Sequence, residues 1–280
     1  MRFFHKKYNS AVIKMLRLKP DQKNWQVAVF NNNNNQYIHV ANTNAETWYA
    51  DPFLFQDDTG TFLFVELFSC EIGFGVIAYS KLGLNGFDEF IICIKEDFHL
   101  SFPRIFGINR DLFMTVESST KKGVRVYRSK VFPDSWELVN VVNEGNFYKD
   151  PIIIAEDNIF HLIVSSKKSE AIQQIEFFSS HDIFATDWNI YRENPIPIGK
   201  NNLRNGGLIT TPANYVWILQ TQKFGIYGFN IKLYSIDRPI DLNNLKLRPI
   251  NNNYFLKPKN VVQFHTLNAI GNLIAFDFKK

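Results

Sequence analysis

The sequence has 280 residues, 45% hydrophobic and 15% aromatic, enough apolar surface for one large all-β domain or two ordinary ones. Its 31 basic and 27 acidic residues leave a formal charge of +4 scattered along the chain, so no basic face of the kind a nucleic-acid partner requires is evident. The two cysteines, Cys70 and Cys93, stand at no metal-ligand spacing, which argues for a reduced, cytoplasmic protein without a bound metal or cofactor.

Residues 1–20 form a basic leader (Arg2, Lys6, Lys7, Lys14, Arg17, Lys19) without the continuous apolar run of a signal peptide or membrane span. Phe4, Tyr8, Val12 and Leu16 recur every fourth residue, a spacing that predicts a short amphipathic helix. Such a helix either lies on an anionic membrane surface, peripheral to the inner membrane, or docks on the flank of its own domain.

Residues 21–280 are expected to make a single domain. Beyond residue 24 the chain reads as short strands: Trp25 to Phe30, Tyr37 to Ala41, Pro52 to Phe55, Thr61 to Glu66, Gly75 to Ser80, Phe90 to Ile94, and so on to the end. Turn residues such as Asp58, Gly60, Asn85, Gly86, Asn109, Asp157 and Asn158 separate them. The Asn-rich tracts at 31–35 and 251–253 fit as turns, because asparagine tolerates left-handed backbone angles.

Three stretches superimpose. They begin at Asp51-Pro52-Phe53, Phe102-Pro103-Arg104 and Asp150-Pro151-Ile152, and each leads into a second apolar strand in which Glu66, Glu117 and Ser165 fall 14 residues after the proline. Two further strands follow in each unit, such as Gly123 to Ser129 and Trp136 to Val142. A period of roughly 50 residues with four strands is the signature of a propeller blade. A fourth unit runs from Arg204 through Gln220 to Ile236. The fifth is split: Phe264 to Asn268 and Leu273 to Phe278 come from the C-terminus, and the first two strands come from the N-terminus. The expected fold is therefore an all-β, five-bladed propeller whose ring is closed by both ends of the chain, leaving no open edge.

In such a blade the first strand lines the central channel and the second returns beside it. Asp51 then lies beside Glu66, and Glu117, Asp150, His99 and Ser101 reach the same rim. Arg204-Asn205-Gly206-Gly207 opens the fourth blade, with Arg204 offering a fork for carboxylate or phosphate, and His265 to Asn268 opens the fifth. Gln220, Gln222, Tyr227 and Gly228 suit sugar contacts and ordinary loops equally. Each residue also has a plainer use: Asp before Pro starts turns, Glu66 and Glu117 can pair with basic neighbours, and His99 can be a satisfied core histidine. Convergence from several blades is what the plainer uses do not require.

The stretches Trp48 to Leu54, His99 to Pro103, Val116-Glu117-Ser118, Val126-Tyr127-Arg128 with Phe132-Pro133 and Trp136, Lys149-Asp150-Pro151, Arg204 to Gly207, Tyr227-Gly228 and His265 to Asn268 together resemble the N-terminal domain of glucosamine inositolphosphorylceramide transferases and its stand-alone bacterial relatives. The resemblance implies a five-bladed propeller related to arabinanase-like and sucrase-like glycoside hydrolases, in a setting of glycolipid or surface-polysaccharide assembly beside a glycosyltransferase. It makes Asp51 a base or nucleophile and Asp150 an orienting carboxylate. The hydrolases' acid is a glutamate from the fourth blade, yet no Asp or Glu lies between Glu193 and Asp237, so Glu117 is expected to substitute. Leu208 also stands where the family carries a second arginine after the paired glycines, and no carboxylate lies near Gln220.

The sequence therefore points to a carbohydrate-active propeller that transfers a glycosyl group. Asp51, Glu117 and Asp150 would be catalytic. Trp48, Glu66, His99, Ser101, Arg204, Gln220, Tyr227, His265 and Asn268 would bind the sugar or glycolipid. The absence of a glycine-rich nucleotide-binding pattern counts against an ordinary nucleotide-sugar transferase. The alternatives are a non-catalytic sugar-binding or scaffolding propeller and a glycoside-hydrolase-like enzyme.

Overall fold

The computed structural model describes residues 25–41, 46–156, 158–169, 172–191, 194, 196, 203–223, 226–250 and 263–279. The leader helix expected within 1–20 and the turn expected at 251–253 lie outside the described residues.

Twenty strands follow in chain order. β1 (Gln26–Asn31) and β2 (Gln36–Ile38) come first. Then come β3 (Thr47–Asp57), β4 (Gly60–Ser69), β5 (Gly75–Lys81) and β6 (Ile91–Ile94), and after them β7 (Ser101–Ile108), β8 (Asp111–Glu117), β9 (Val124–Val131) and β10 (Ser135–Val142). β11 (Lys149–Glu156), β12 (Ile159–Ser169), β13 (Ile172–Ser180) and β14 (Asn189–Ile190) form the next group. β15 (Leu203–Thr210), β16 (Asn214–Lys223), β17 (Ile226–Asp237) and β18 (Arg248–Ile250) precede β19 (Gln263–Ile270) and β20 (Leu273–Lys279).

Each group of four is one antiparallel sheet, and the fifth sheet has the order β19-β20-β1-β2. It is the mixed-terminus blade expected from the sequence, with Val29 of the first strand opposite Ala275 of the last. The innermost strands β3, β7, β11, β15 and β19 touch one another in a closed cycle, so the five sheets surround one axis. Among the described residues no helix is long and apolar enough to cross a membrane.

The reason for the closure is visible in the second strand of each blade. In β4, Phe62 and Phe64 pack toward the second blade while Leu63 and Val65 pack toward the fifth, all at most 2% exposed. In β16, Trp217 and Leu219 face the third blade and Ile218 faces the fifth. Period-2 alternation within an uninterrupted apolar run thus serves two neighbours at once, which is the pattern of strands covered on both faces. Among the described residues five large apolar clusters result, one at each blade-to-blade interface, and a small sixth joins Trp25, Trp48 and Ala50.

Candidate functional site

Every inner strand carries an irregularity near its N-terminal end. The register of β3 against β4 slips between Ala50 and Phe53, that of β7 against β8 between Ser101 and Arg104, and that of β11 against β12 between Lys149 and Ile152. β15 slips between Asn205 and Gly207, and β19 between Phe264 and Leu267. Asp51, Phe102 and Asp150 stand in the first three bulges with φ of 51°, 53° and 49°. A left-handed residue before proline inside a strand re-aims its side chain, the usual consequence of a bulge. In the fourth and fifth blades Asn205 and His265 take the corresponding place. Opposite the residues that precede Asp51, Phe102, Asp150 and Asn205 lie Glu66, Glu117, Ser165 and Gln220, so Glu66 pairs with Ala50, one residue from its expected neighbour Asp51.

The bulges free backbone amides, and the polar side chains take them up across blades. The Asp51 N–H donates to Asp277 Oδ2 at 2.8 Å, and the Phe102 N–H to Asp51 Oδ2 at 3.1 Å. The Asp150 N–H donates to Glu117 Oε2 at 2.9 Å, and the Asn205 N–H to Ser165 Oγ at 2.8 Å. Four of the five bulges are thus clasped by an acceptor on the preceding blade. A buried amide without a partner costs about 1–3 kcal/mol, so these side chains hold the ring together as well as shaping its mouth.

Around the clasps the site is layered. Its floor is Asp51, Asp150, His265 and Asp277, with side chains 8%, 3%, 4% and 0% exposed. His265 Nδ1 lies 2.7 Å from Asp277 Oδ1 and Nε2 lies 3.2 Å from Asp51 Oδ1, while the Trp25 ring covers its face at 4.1 Å. Burial alone would lower the His265 pKa, but Asp277 and then Asp51 raise it to about 10, so the ring is an imidazolium. Burial would likewise raise the Asp51 carboxyl, yet His265, Arg104 and Arg204 hold it below the usual range. Asp51, His265 and Asp277 bring ligand atoms within 4.8 Å of one another, a grouping that could take a metal ion only if His265 gave up the proton it holds between the two carboxylates.

Nearer the solvent are Glu66, Arg204, His99 and Lys149, with side chains 13%, 14%, 27% and 29% exposed. Arg204 grips Asp150 with two nitrogens, at 2.7 and 2.6 Å, and one of them also reaches Glu117 at 3.3 Å. Burial and then Asp150 push the Glu117 carboxyl up to about 7, against Arg204 and Lys149. Burial, then Asp51 and Glu117, push Glu66 well above the carboxylate range.

Of the other residues expected here, Ser101 is buried opposite Glu117 and Asn268 accepts the Leu54 N–H at 2.7 Å across the blade junction. Gln220 is buried and donates to the Asn205 carbonyl. Trp48 stacks on Phe68 at 3.9 Å. Tyr227 lies within β17, and its side chain is outside the described ones.

Sequence reasoning missed Asp277 and Arg104. Asp277 occupies the slot where the other blades carry Val65, Val116, Val164 and Leu219, all at most 1% exposed, and this polar break in the repeat was its only signal. Arg104 is 4% exposed, with its guanidinium 3.9 Å from the Phe102 ring centre. Its second nitrogen donates to the Pro103 carbonyl at 2.8 Å, while Nε and the remaining nitrogen find no partner. Burial lowers its pKa to about 10, so it stays charged and balances Asp51, Asp150 and Asp277.

Residues 17–260 match the family described as glucosamine inositolphosphorylceramide transferase 1, N-terminal. The chain belongs to this family. Two relatives named glucosamine inositolphosphorylceramide transferase 1 agree with that membership. The protein from Oryza sativa subsp. japonica is 28% identical over 209 residues, covering 72% of this chain and 28% of the relative. That from Arabidopsis thaliana is 32% identical over 165 residues, covering 56% of this chain and 21% of the relative. The chain therefore spans between a fifth and a third of its relatives' length. Among solved structures, an exo-β-1,3-galactanase from Phanerochaete chrysosporium superimposes with a TM-score of 0.58 at 13% identity, covering 74% of this chain and 51% of that one. A thermostable family-43 glycoside hydrolase gives 0.57 at 13% identity, covering 89% and 86%. At this identity the likeness is one of fold alone, shared with the five-bladed ring described above.

Proposed function

We propose that the mouth formed by the five inner strands binds a sugar and transfers a glycosyl group during glycolipid or surface-polysaccharide assembly, alongside a partner glycosyltransferase. One observation carries the reading: all five blades contribute a charged group to one partly buried cluster, through Asp51 and Glu66, Glu117, Asp150, Arg204 and His265. Glu117 Oε2 and Asp150 Oδ1 are 3.3 and 2.6 Å from the same Arg204 nitrogen, so the two carboxylates are closer together than the sum of those distances. A carboxylate pair this close, well within about 10 Å, supports glycosyl chemistry at this mouth. Ionised Asp51 would stabilise positive charge at the anomeric carbon, and Arg204 and Lys149 would bind hydroxyl or phosphate groups. The relatives' name, glucosamine inositolphosphorylceramide transferase, supports transfer over hydrolysis.

The clasps favour a second reading, a sugar-binding propeller without chemistry of its own, because Asp51, Glu117 and Asp277 are engaged with backbone amides. Turnover of aryl galactosides and N-acetylglucosaminides, with and without acceptor sugars, by the wild type, Asp51→Asn and Glu117→Gln separates the two. Loss of about 10²-fold or more in either variant supports the enzyme. Unchanged turnover in both removes it.

A further inference from the structure

We infer that Glu66 is the proton donor of this site, the group that protonates the leaving oxygen when a glycosyl bond is broken at the mouth. The inference rests on the enzymatic reading above and replaces Glu117 in the role expected from the sequence.

Of the five carboxyl groups in the cluster, four are tied to the scaffold. Asp51 holds the Phe102 amide, and Asp277 holds the amides of Asp51 and Thr266 together with the His265 ring. Glu117 holds the Asp150 amide and touches Arg204, and Asp150 gives both oxygens to Arg204. Glu66 holds no backbone amide. Its neighbour is His99, whose Nε2 lies 3.5 Å from Oε1, and its side chain is 13% exposed against 8% or less for the other four. Among the described residues, the one carboxyl of the five clasped by neither a backbone amide nor Arg204 is thus also the one nearest the solvent.

The surroundings decide its charge. Burial, and then Asp51 on β3, Glu117 on β8 and Asp277 on β20, oppose a second anion there, while His265 on β19 favours it. The Gly75 N–H donates to His99 Nδ1 at 3.0 Å, so a neutral His99 carries its proton on Nε2, facing Glu66 Oε1. A donor facing Oε1 leaves the Glu66 proton to Oε2. The sequence makes room for this pair: a Cβ at Gly75 would sit 2.7 Å from Glu66 Oε1 and 2.8 Å from His99 Cε1.

In the step this permits, the bond between the anomeric carbon and the leaving oxygen breaks, the bonding pair stays on that oxygen, and the oxygen takes the Glu66 proton and departs as an alcohol. The acceptor hydroxyl oxygen forms the new bond to the anomeric carbon, and its proton passes to the Asp51 carboxylate. One proton leaves Glu66 and one arrives at Asp51, so charge balances.

The test is a carbon NMR titration of the full chain carrying labelled glutamate side-chain carboxyls, with Glu66→Gln and Glu117→Gln used to assign two signals. The signal lost in Glu66→Gln is expected to stay in its protonated position at neutral pH, and Glu66→Gln is expected to fold like the wild type, since an amide replaces a neutral acid. A Glu66 signal that ionises near the ordinary glutamate value of about 4.3 overturns the inference. Turnover supplies the second arm. Glu66→Gln is expected to slow methyl galactoside or methyl N-acetylglucosaminide transfer about 10²-fold or more while largely sparing dinitrophenyl glycosides, whose leaving group needs no proton. Equal losses on both substrates overturn it. If Glu66 titrates high but the wild type turns over no glycoside, the enzymatic reading fails, and the donor role with it, while the protonated Glu66 stands as a binding group.

Discussion

Asp277 Oδ2 accepts the amide proton of Asp51 at 2.8 Å, and this contact joins the last strand of the chain to the first complete blade at the floor of the site. The other Asp277 oxygen accepts from the Thr266 amide at 2.9 Å and meets His265 Nδ1 at 2.7 Å. Asp277 therefore helps close the ring and also holds the His265 ring whose charge lowers Asp51.

Replacing Asp277 by Val, the residue type that fills its slot in three other blades, should be strongly destabilising here. It strands two amides and removes a counter-ion from a buried imidazolium, a combination that costs about 3–5 kcal/mol. Urea unfolding of Asp277→Val against the wild type measures this; a loss below about 1 kcal/mol would mean that the clasp does not close the ring.

Stability should fall as pH rises from mildly acidic to alkaline. The unfolded Glu117 ionises around 4.5 but the folded one only at about 7, so the folded state loses ground between those values. The His265 contribution is fully present below 6.5, its ordinary value, and is lost as pH climbs through about 10. Asp51 acts oppositely at the acid end, contributing above its ordinary 3.8 and losing that contribution as pH falls through its depressed folded value. Thermal unfolding across this range should show a maximum on the acid side of neutral, and Glu117→Gln should flatten the slope between about 4.5 and 7.

Arg204→Gln should raise the Glu117 pKa above its value of about 7, because Arg204 is the first of the cations that lower it. Asp150 would then face Glu117 without the guanidinium between them. The carboxyl titration described for Glu66 reads this directly; an unmoved Glu117 signal would show that Lys149, 3.9 Å away, carries the compensation instead.

Gly207→Ala should prevent the fourth and fifth blades from closing. Gly207 has φ of 141°, and a Cβ there would stand 2.0 Å from the Leu267 carbonyl oxygen. Backbone meets backbone at this point, so no side-chain rotation relieves the contact. A soluble variant with wild-type thermal stability would contradict the close approach of β15 and β19.

The blades were legible in the sequence because their proline-registered starts recur and their second strands carry runs of consecutive apolar residues, as double-sided packing demands. The split fifth blade followed from counting what remained at the two ends. The inner-rim residues were legible for the same reason: Asp51, Asp150 and His265 stand at matching points of the repeat, and Arg204 stands one residue before that point in its blade. Their partners were not. Asp277 sits inside Leu273 to Phe278, a run that reads as a plain strand, and its role depends on a blade more than 200 residues away. Arg104 is an isolated charge in the apolar run Phe102 to Ile108, and it is the bulge at Phe102 that turns it inward onto that ring. The division of labour between Glu66 and Glu117 was equally hidden, because both occupy the same place in their blades and differ only in what the next blade offers them.

The most direct test of a sugar-handling mouth is a crystal of the chain soaked with β-1,3-galactobiose and, separately, with N-acetylglucosamine. Density is expected against Glu66, His99, Arg204 and Lys149, with the ring oxygen side toward Asp51. Sugar bound only on the outer strands, with the inner-rim carboxylates untouched, would contradict the account.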